Sequence, residues 1–352
     1  MTHVRLVTGM SAAVLAAALL TACGPAAPQP TASRAPAPAS TPAAPAAAPS
    51  GSPSPTARGA ASATGPLTVT PLAVRLPAPS ARMVVLGVGD RLLLLGGMAG
   101  ASTTSQVLSL APGAGTVSVV GHLAQATHDA GGAVLDGRAV VLGGGVQSST
   151  DTVLGFPISG GTGTVLGHLP QPRSDHAVAV DGGTAYVVGG YAASAELADV
   201  LATTDGTTFR TVAQLPTTVR YAAAAVAGGA LWVLGGEHSG TAVDLVQRID
   251  LSTGAATVAG HLPLPLSHAA AVTLGGAVLL VGGTHGSARQ DAVYRLDPTS
   301  GALSVVAHLP VPTSDMGLGV LGDAAYAVGG ETADAAGKTT LLSTVVRLQP
   351  AG

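Results

Sequence analysis

Charge is scarce in this chain: 9% of its 352 residues are Asp, Glu, Lys or Arg, against about 25% in an average soluble domain. Aromatic residues make up 2%, with a single Trp. One cysteine excludes an intrachain disulfide framework and any cysteine-rich metal site. Mean hydropathy is positive, at +0.48, yet no run beyond residue 23 approaches the roughly 18 consecutive apolar residues of a membrane-spanning helix. Nucleophile elbows, phosphate-binding loops and His-Glu-x-x-His motifs are absent. Small residues fill the length instead, among them 49 Gly and 25 Pro.

The first 22 residues carry Arg5 and then an apolar run from Leu6 through Leu20, broken by Thr8, Gly9 and Ser11. That order reads as a secretory signal rather than a domain. Leu20-Thr21-Ala22-Cys23 resembles a bacterial lipobox, in which the cysteine thiol takes a diacylglycerol. The resemblance implies that Cys23 is a lipid anchor and not a nucleophile. Residues 23–66 continue in Pro, Ala, Ser and Thr with no apolar face to bury, which predicts a disordered tether.

Residues 67–352 repeat themselves. Double glycines begin at Gly96, Gly143, Gly189, Gly235, Gly282 and Gly329, spaced by 47, 46, 46, 47 and 47 residues. A second marker keeps the same beat through Leu76, Leu123, Leu169, Leu215, Leu262 and Leu309, five of them followed by Pro. Each copy holds several short β-type runs; in the third these are 177–180, 185–188, 200–203 and 209–212. Asp-Gly and Gly-Gly between such runs predict hairpin turns, and therefore four-stranded meanders. Six copies at this period predict an all-β, six-bladed β-propeller. The last copy ends one strand short, and residues 67–74 read as a strand without a blade, so the N-terminal strand is expected to close the last blade.

Pro172-Arg173-Ser174-Asp175-His176, the strand end Tyr186-Val187-Val188-Gly189-Gly190 and Leu296-Asp297-Pro298 resemble Kelch repeats. The resemblance spans about residues 67–349 and implies a propeller without implying one activity. Kelch oxidases of the galactose-oxidase type need a Tyr–Cys crosslink beside copper, and here the only cysteine precedes the tether. Quinone-dependent propellers are rich in Trp, and this chain has one.

One repeat position stands out. Fourteen residues before each first glycine stand Arg82, Asp129, Asp175, Tyr221, His268 and Asp315, at the entry to a strand otherwise built of Ala, Gly and Val. Innermost propeller strands converge, so this position predicts a polar ring at the axial mouth. Neighbouring His128, His176 and Arg220 add charge, as do Glu237, His238, His285 and Glu331 after the doublets. Three carboxylates in one ring predict at least one raised pKa unless Arg82, His268 or a bound cation compensates, and the ring is expected to mark an entrance that takes a cation or a polyhydroxylated or cationic ligand. No cofactor is otherwise expected. His122, His168, His261 and His308 share an outer-strand position and should diverge too far to hold one ion. Tyr186, Trp232 and Tyr326 are expected to pack between blades, and the Asp-box-like Thr203–Phe209 stretch to be an ordinary hairpin turn.

The repeat region holds twelve of the 15 Lys and Arg against all 18 acids, a net charge of about −6, which argues against nucleic acid and anionic lipid surfaces. The expectation is a monomeric, lipid-anchored module in the bacterial cell envelope, on the extracytoplasmic side, that binds a protein or glycan with Arg82, Asp129, Asp175, His176, Tyr221, His268 and Asp315. The alternative is a carbohydrate-active enzyme of epimerase, mutarotase or lyase type, using the carboxylates and imidazoles as general acid and base.

Overall fold

The computed structural model describes residues 65–334 and 336–351. The leader, Cys23 and nearly all of the tether lie outside the described residues. Within them the secondary structure is entirely β, and no helix is long and apolar enough to cross a membrane.

Six antiparallel meanders follow one another along the chain, five as four-stranded sheets and the first with a short fifth strand added in parallel at its outer edge. Sheet 3 is typical: Ala177–Asp181, Thr184–Val188, Asp199–Thr203 and Arg210–Gln214 run from the inside outward, within two residues of the expected bounds. Sheets 1, 2, 4 and 5 open with Val84–Val88, Gly131–Leu135, Ala223–Ala227 and Ala270–Leu274. Sheet 6 combines Gly317–Leu321, Ala324–Val328 and Thr344–Pro350 with the N-terminal strand Leu67–Arg75, which pairs antiparallel with Thr344–Pro350. The chain ends thus meet in one sheet. Inner hairpins turn at pairs such as Asp136-Gly137 (φ 46° and 70°) and Gly228-Gly229 (61° and 71°), the double positive φ that matches strand twist.

Among the described residues no single central core forms. Six apolar layers lie between neighbouring sheets, one for each junction, including the junction of sheet 6 with sheet 1. Trp232, 2% exposed, fills the layer between sheets 4 and 5 with Tyr294, and Tyr326 lies in the layer between sheets 6 and 1. Burial against a neighbour on each side is the main favourable term, and it exists only once the ring has closed.

The glycine doublets are the clasps of that ring. The second glycine of each donates its N–H to a carbonyl of the next sheet, at 2.8–2.9 Å, in all six junctions: Gly97 to Thr127, Gly144 to Arg173, Gly190 to Val219, Gly236 to Leu266, Gly283 to Thr313 and Gly330 to Ser80. The first glycine sits at φ 59–64° with that same carbonyl where a Cβ would be. Left-handed geometry and close approach together require glycine. The leucine markers share the period because they touch the clasps: Leu123 and Leu169 pack at Gly96 and Gly143. Each of the six leucine N–H groups also bonds the loop carbonyl at the start of its sheet's third strand, at 2.6–2.9 Å.

Candidate functional site

Just before each innermost strand the chain turns through a residue of positive φ. These residues are Arg82 (58°), Asp129 (51°), Asp175 (58°), Tyr221 (52°), His268 (56°) and Asp315 (51°), the six picked out by the repeat. The left-handed region costs a non-glycine residue roughly 1–2 kcal/mol. Backbone bonds offset this by linking one sheet to the next: Arg82 N–H to Asp315, Asp175 to Asp129, Tyr221 to Asp175, His268 to Tyr221 and Asp315 to His268, at 2.7–3.0 Å. All six residues line one recess of about 150 Å³.

The ring is internally paired. The Arg82 guanidinium reaches Asp129 Oδ2 at 3.2 Å, Asp315 Oδ1 at 3.8 Å and Glu331 Oε1 at 3.0 Å. His268 Nδ1 lies 2.8 Å from Asp315 Oδ1, and its Nε2 lies 3.6 Å from Glu237 Oε1. Tyr221 stacks on His268 with centroids 3.9 Å apart, and Arg220 lies over Tyr191 and Tyr221 at 5.1 and 5.2 Å while pairing with Glu237 at 3.0 Å. His128 Nε2 is 3.5 Å from Asp129.

These environments divide the three aspartates. Burial would raise Asp315, but the His268 hydrogen bond and the charges of His268 and Arg82 hold it below the usual carboxylate range. Burial likewise works against protonated His268, yet Asp315 and Glu237 raise its pKa. Asp129 is raised by burial despite Arg82 and His128. Asp175 belongs to none of the ion pairs among the described residues, and burial followed by repulsion from Asp129 pushes it up to about 6, with Arg220 opposing. Beside it, burial and Asp175 raise the Tyr221 phenol. The site therefore holds a carboxyl that gains and loses its proton near neutrality.

Several expected neighbours stand elsewhere. His176 lines the recess but its imidazole is turned into the junction with sheet 2, where Nε2 accepts the Gly131 N–H at 3.2 Å. Burial, with the charge of Arg173, pushes its pKa down to about 3, so it is a neutral packing residue. Arg173, wholly buried, binds Asp199 at 2.7 Å and the Gly189 carbonyl at 3.0 Å. His238 and His285 bond the backbone carbonyls of Thr218 and Pro265 on exposed loops. His168, His261 and His308 each pair with an aspartate of their own sheet at 3.1 Å. Asp205 accepts the Thr207 and Thr208 N–H groups as a turn residue. Among the described residues no three His, Cys, Asp or Glu side chains gather as a metal site. The guanidinium of Arg82 reaches both Asp129 and Asp315 and supplies positive charge between these carboxylates.

Sequence reasoning missed Tyr191 and Arg289. Tyr191 follows its doublet directly, as Glu237 and Glu331 do, and this position bridges the residue preceding the ring residue: Ser174 with Tyr191, Arg220 with Glu237, Ser314 with Glu331. A second repeat position thus feeds the mouth. Arg289 joins by binding Glu331 at 3.4 Å and Thr339 at 2.7 Å. Next to the recess, and sharing Arg82, Asp129, Asp175 and Tyr221 with it, lies a groove of about 370 Å³.

Comparison with known proteins agrees on the fold. No curated protein matches the chain. A solved structure named YjhT superposes with a TM-score of 0.65 at 17% identity, over 78% of this chain and 96% of that one. At that identity the likeness establishes architecture alone. The family description "Kelch motif" matches residues 265–307, from the end of the fourth repeat through the outer strand of sheet 5, so the chain contains a Kelch motif within an all-β Kelch-type propeller.

Proposed function

We propose that the axial mouth binds a neutral, hydroxyl-rich ligand and that the protein is a glycan-binding module of the bacterial cell envelope, held on the extracytoplasmic side by a lipid on Cys23. One observation carries the reading. A chain with 49 glycines places Gly at most of its left-handed positions, yet uses six polar or ionisable side chains at the six ring positions. Strain retained at equivalent sites around one mouth marks a functional surface.

The charges select the ligand class. Arg82 at the centre opposes a cationic ligand, and Asp129, Asp175, Asp315, Glu237 and Glu331 oppose an anionic one. Hydroxyl groups can donate to the carboxylates and accept from Arg82, Arg220 and Tyr221. A second reading, a carbohydrate-active enzyme, is favoured by the carboxyl of Asp175 near pKa 6, a value suited to proton transfer near neutral pH.

Screening the purified chain in detergent on a glycan array, followed by calorimetry on each hit, tests both readings. Asp175→Asn and Tyr221→Phe should weaken binding at least tenfold while the protein stays folded. Hits that bind these variants undiminished would move the site elsewhere. Slow conversion of a hit, followed by NMR and abolished in Asp175→Asn, would replace the binding module with the enzyme.

A further inference from the structure

One junction, between sheets 5 and 6, departs from the other five. Two residues before the first glycine of each doublet stand Leu94, Val141, Val187, Val233 and Leu280, each packed into the layer shared with the preceding sheet; in sheet 6 the residue is Ala327. The outer strands differ as well. In sheets 1 to 5 the fourth strand bulges by a single residue, Val120, Leu166, Val212, Ala259 or Val306. In sheet 6 the three residues 72–74 stand opposite Val345 alone. Leu72 and Val74 pack into the layer between sheets 6 and 1, which leaves Pro71 and Arg75 on the side toward sheet 5.

The result is a pocket of about 190 Å³ with apolar walls, Pro71, Leu309, Val311, Met316, Ala327 and Val346. Arg75 is the only charged residue in its lining, and Met316 alone is shared with the axial recess. Close packing leaves few voids of this size, and an apolar cavity of about 150 Å³ is enough to take up benzene.

Arg75 is itself a departure. It stands where His122, His168, Gln214, His261 and His308 precede the marker leucines. His168, His261 and His308 pair with Asp151, Asp244 and Asp291, whose carbonyls accept the N–H of Leu169, Leu262 and Leu309. In sheet 6 the carbonyl that accepts the Leu76 N–H belongs to Ser343. A histidine–aspartate pair is thus replaced by a permanent cation without a carboxylate. Among the described residues the Arg75 guanidinium forms no ion pair; its Nη1 donates to the Leu72 and Val74 carbonyls of its own bulge.

We infer that this junction is a binding site, separate from the axial mouth, for a small apolar monocarboxylate: its body fills the space that Ala327 leaves, and its carboxylate pairs with Arg75. The ligand completes the apolar layer between sheets 5 and 6, and the guanidinium selects against neutral molecules of the same shape. The site does not depend on the glycan reading and stands if the mouth binds no sugar.

Calorimetry of the full chain with hexanoate and benzoate, beside hexan-1-ol and acetate, tests the inference. At least one of the two apolar carboxylates should bind at least tenfold more tightly than hexan-1-ol, which lacks the charge, and than acetate, which lacks the body. Ala327→Val and, separately, Ala327→Leu give sheet 6 the side chains of its counterparts and should abolish binding while the protein stays folded. Arg75→Gln, the residue that sheet 3 carries at Gln214, should lower carboxylate affinity at least tenfold and leave that of hexan-1-ol within twofold. Failure of both apolar carboxylates to bind the folded protein, binding that survives both Ala327 variants, or an affinity unmoved in Arg75→Gln overturns the inference.

Discussion

At the residue scale, the mouth separates three aspartates of one repeat position into different electrostatic states, and each state has a measurable consequence. Asp175 has a folded pKa of about 6 against an ordinary 3.8. A raised pKa means that the folded state holds the proton more tightly, so this contribution to stability is complete below 3.8 and is lost as pH rises through 6. Asp175→Asn should therefore raise Tm at pH 8 by about 2–4 °C, roughly 1 kcal/mol for a domain of this size. The gain should shrink toward zero at pH 4.5 in paired melts. Asp315 behaves oppositely, whereas His268 runs in the same sense as Asp175. The contribution of Asp315 is present above 3.8 and lost as pH falls through its depressed value; that of His268 is present below 6.5 and lost as pH rises through its raised value. Asp315→Asn leaves His268 and Arg82 without their shared partner and should cost about 3–5 kcal/mol. NMR titration should find the His268 pKa lower in the variant; an unmoved value would show that the pair does not set it.

At the element scale, the inter-sheet clasp explains why a glycine doublet closes every second strand. Gly228 and Gly235 separate its two causes, since they have nearly equal φ, 61° and 62°. A Cβ at Gly228 meets nothing within 4 Å, whereas at Gly235 it strikes the Leu266 carbonyl of the next sheet. Gly228→Ala should cost only the left-handed penalty, about 1–2 kcal/mol. Gly235→Ala should cost at least about 2 kcal/mol more, because a close-packed backbone must move. Urea unfolding of the two variants measures the difference, and equal losses would show that φ alone demands glycine here. The loop at residues 158–163 is another element-level device: Gly161–Thr162 adds a short parallel strand to Gly121–His122 of sheet 1 and covers part of an outer edge.

At the scale of the whole molecule, closure of the ring is the decisive event, because every apolar layer lies between two sheets. The N-terminal strand supplies six residue pairs to the last sheet, from Leu67 opposite Pro350 to Arg75 opposite Thr344. Removing residues 24–66 should leave Tm unchanged within about 2 °C, whereas deletion through Val74 should expose the Thr344–Pro350 edge and promote aggregation. Scanning calorimetry and light scattering compare the two. The proposed anchor is tested separately: Cys23→Ser should move the protein from the membrane fraction to the soluble one or leave an uncleaved precursor. A processed variant that remains fully membrane-bound would refute the lipid anchor.

The sequence by itself determined the period, the four strands per repeat, the meeting of the chain ends and the ring position. The period, the strands and the ring position are local requirements repeated six times: φ at glycine, alternation in a strand, a polar residue where the chain turns at the axis. Repetition turns weak local signals into a legible architecture. Tertiary structure decided what those residues do to one another. Asp129, Asp175 and Asp315 occupy one repeat position and differ mainly through cross-sheet neighbours, Arg82 and His268 above all, which lie 47 residues or more away in the chain. His176 adjoins Asp175 in sequence, yet its imidazole turns from the recess it lines into the junction with sheet 2, where it accepts the Gly131 N–H. Side-chain direction and dielectric environment arise only when separate repeats come together.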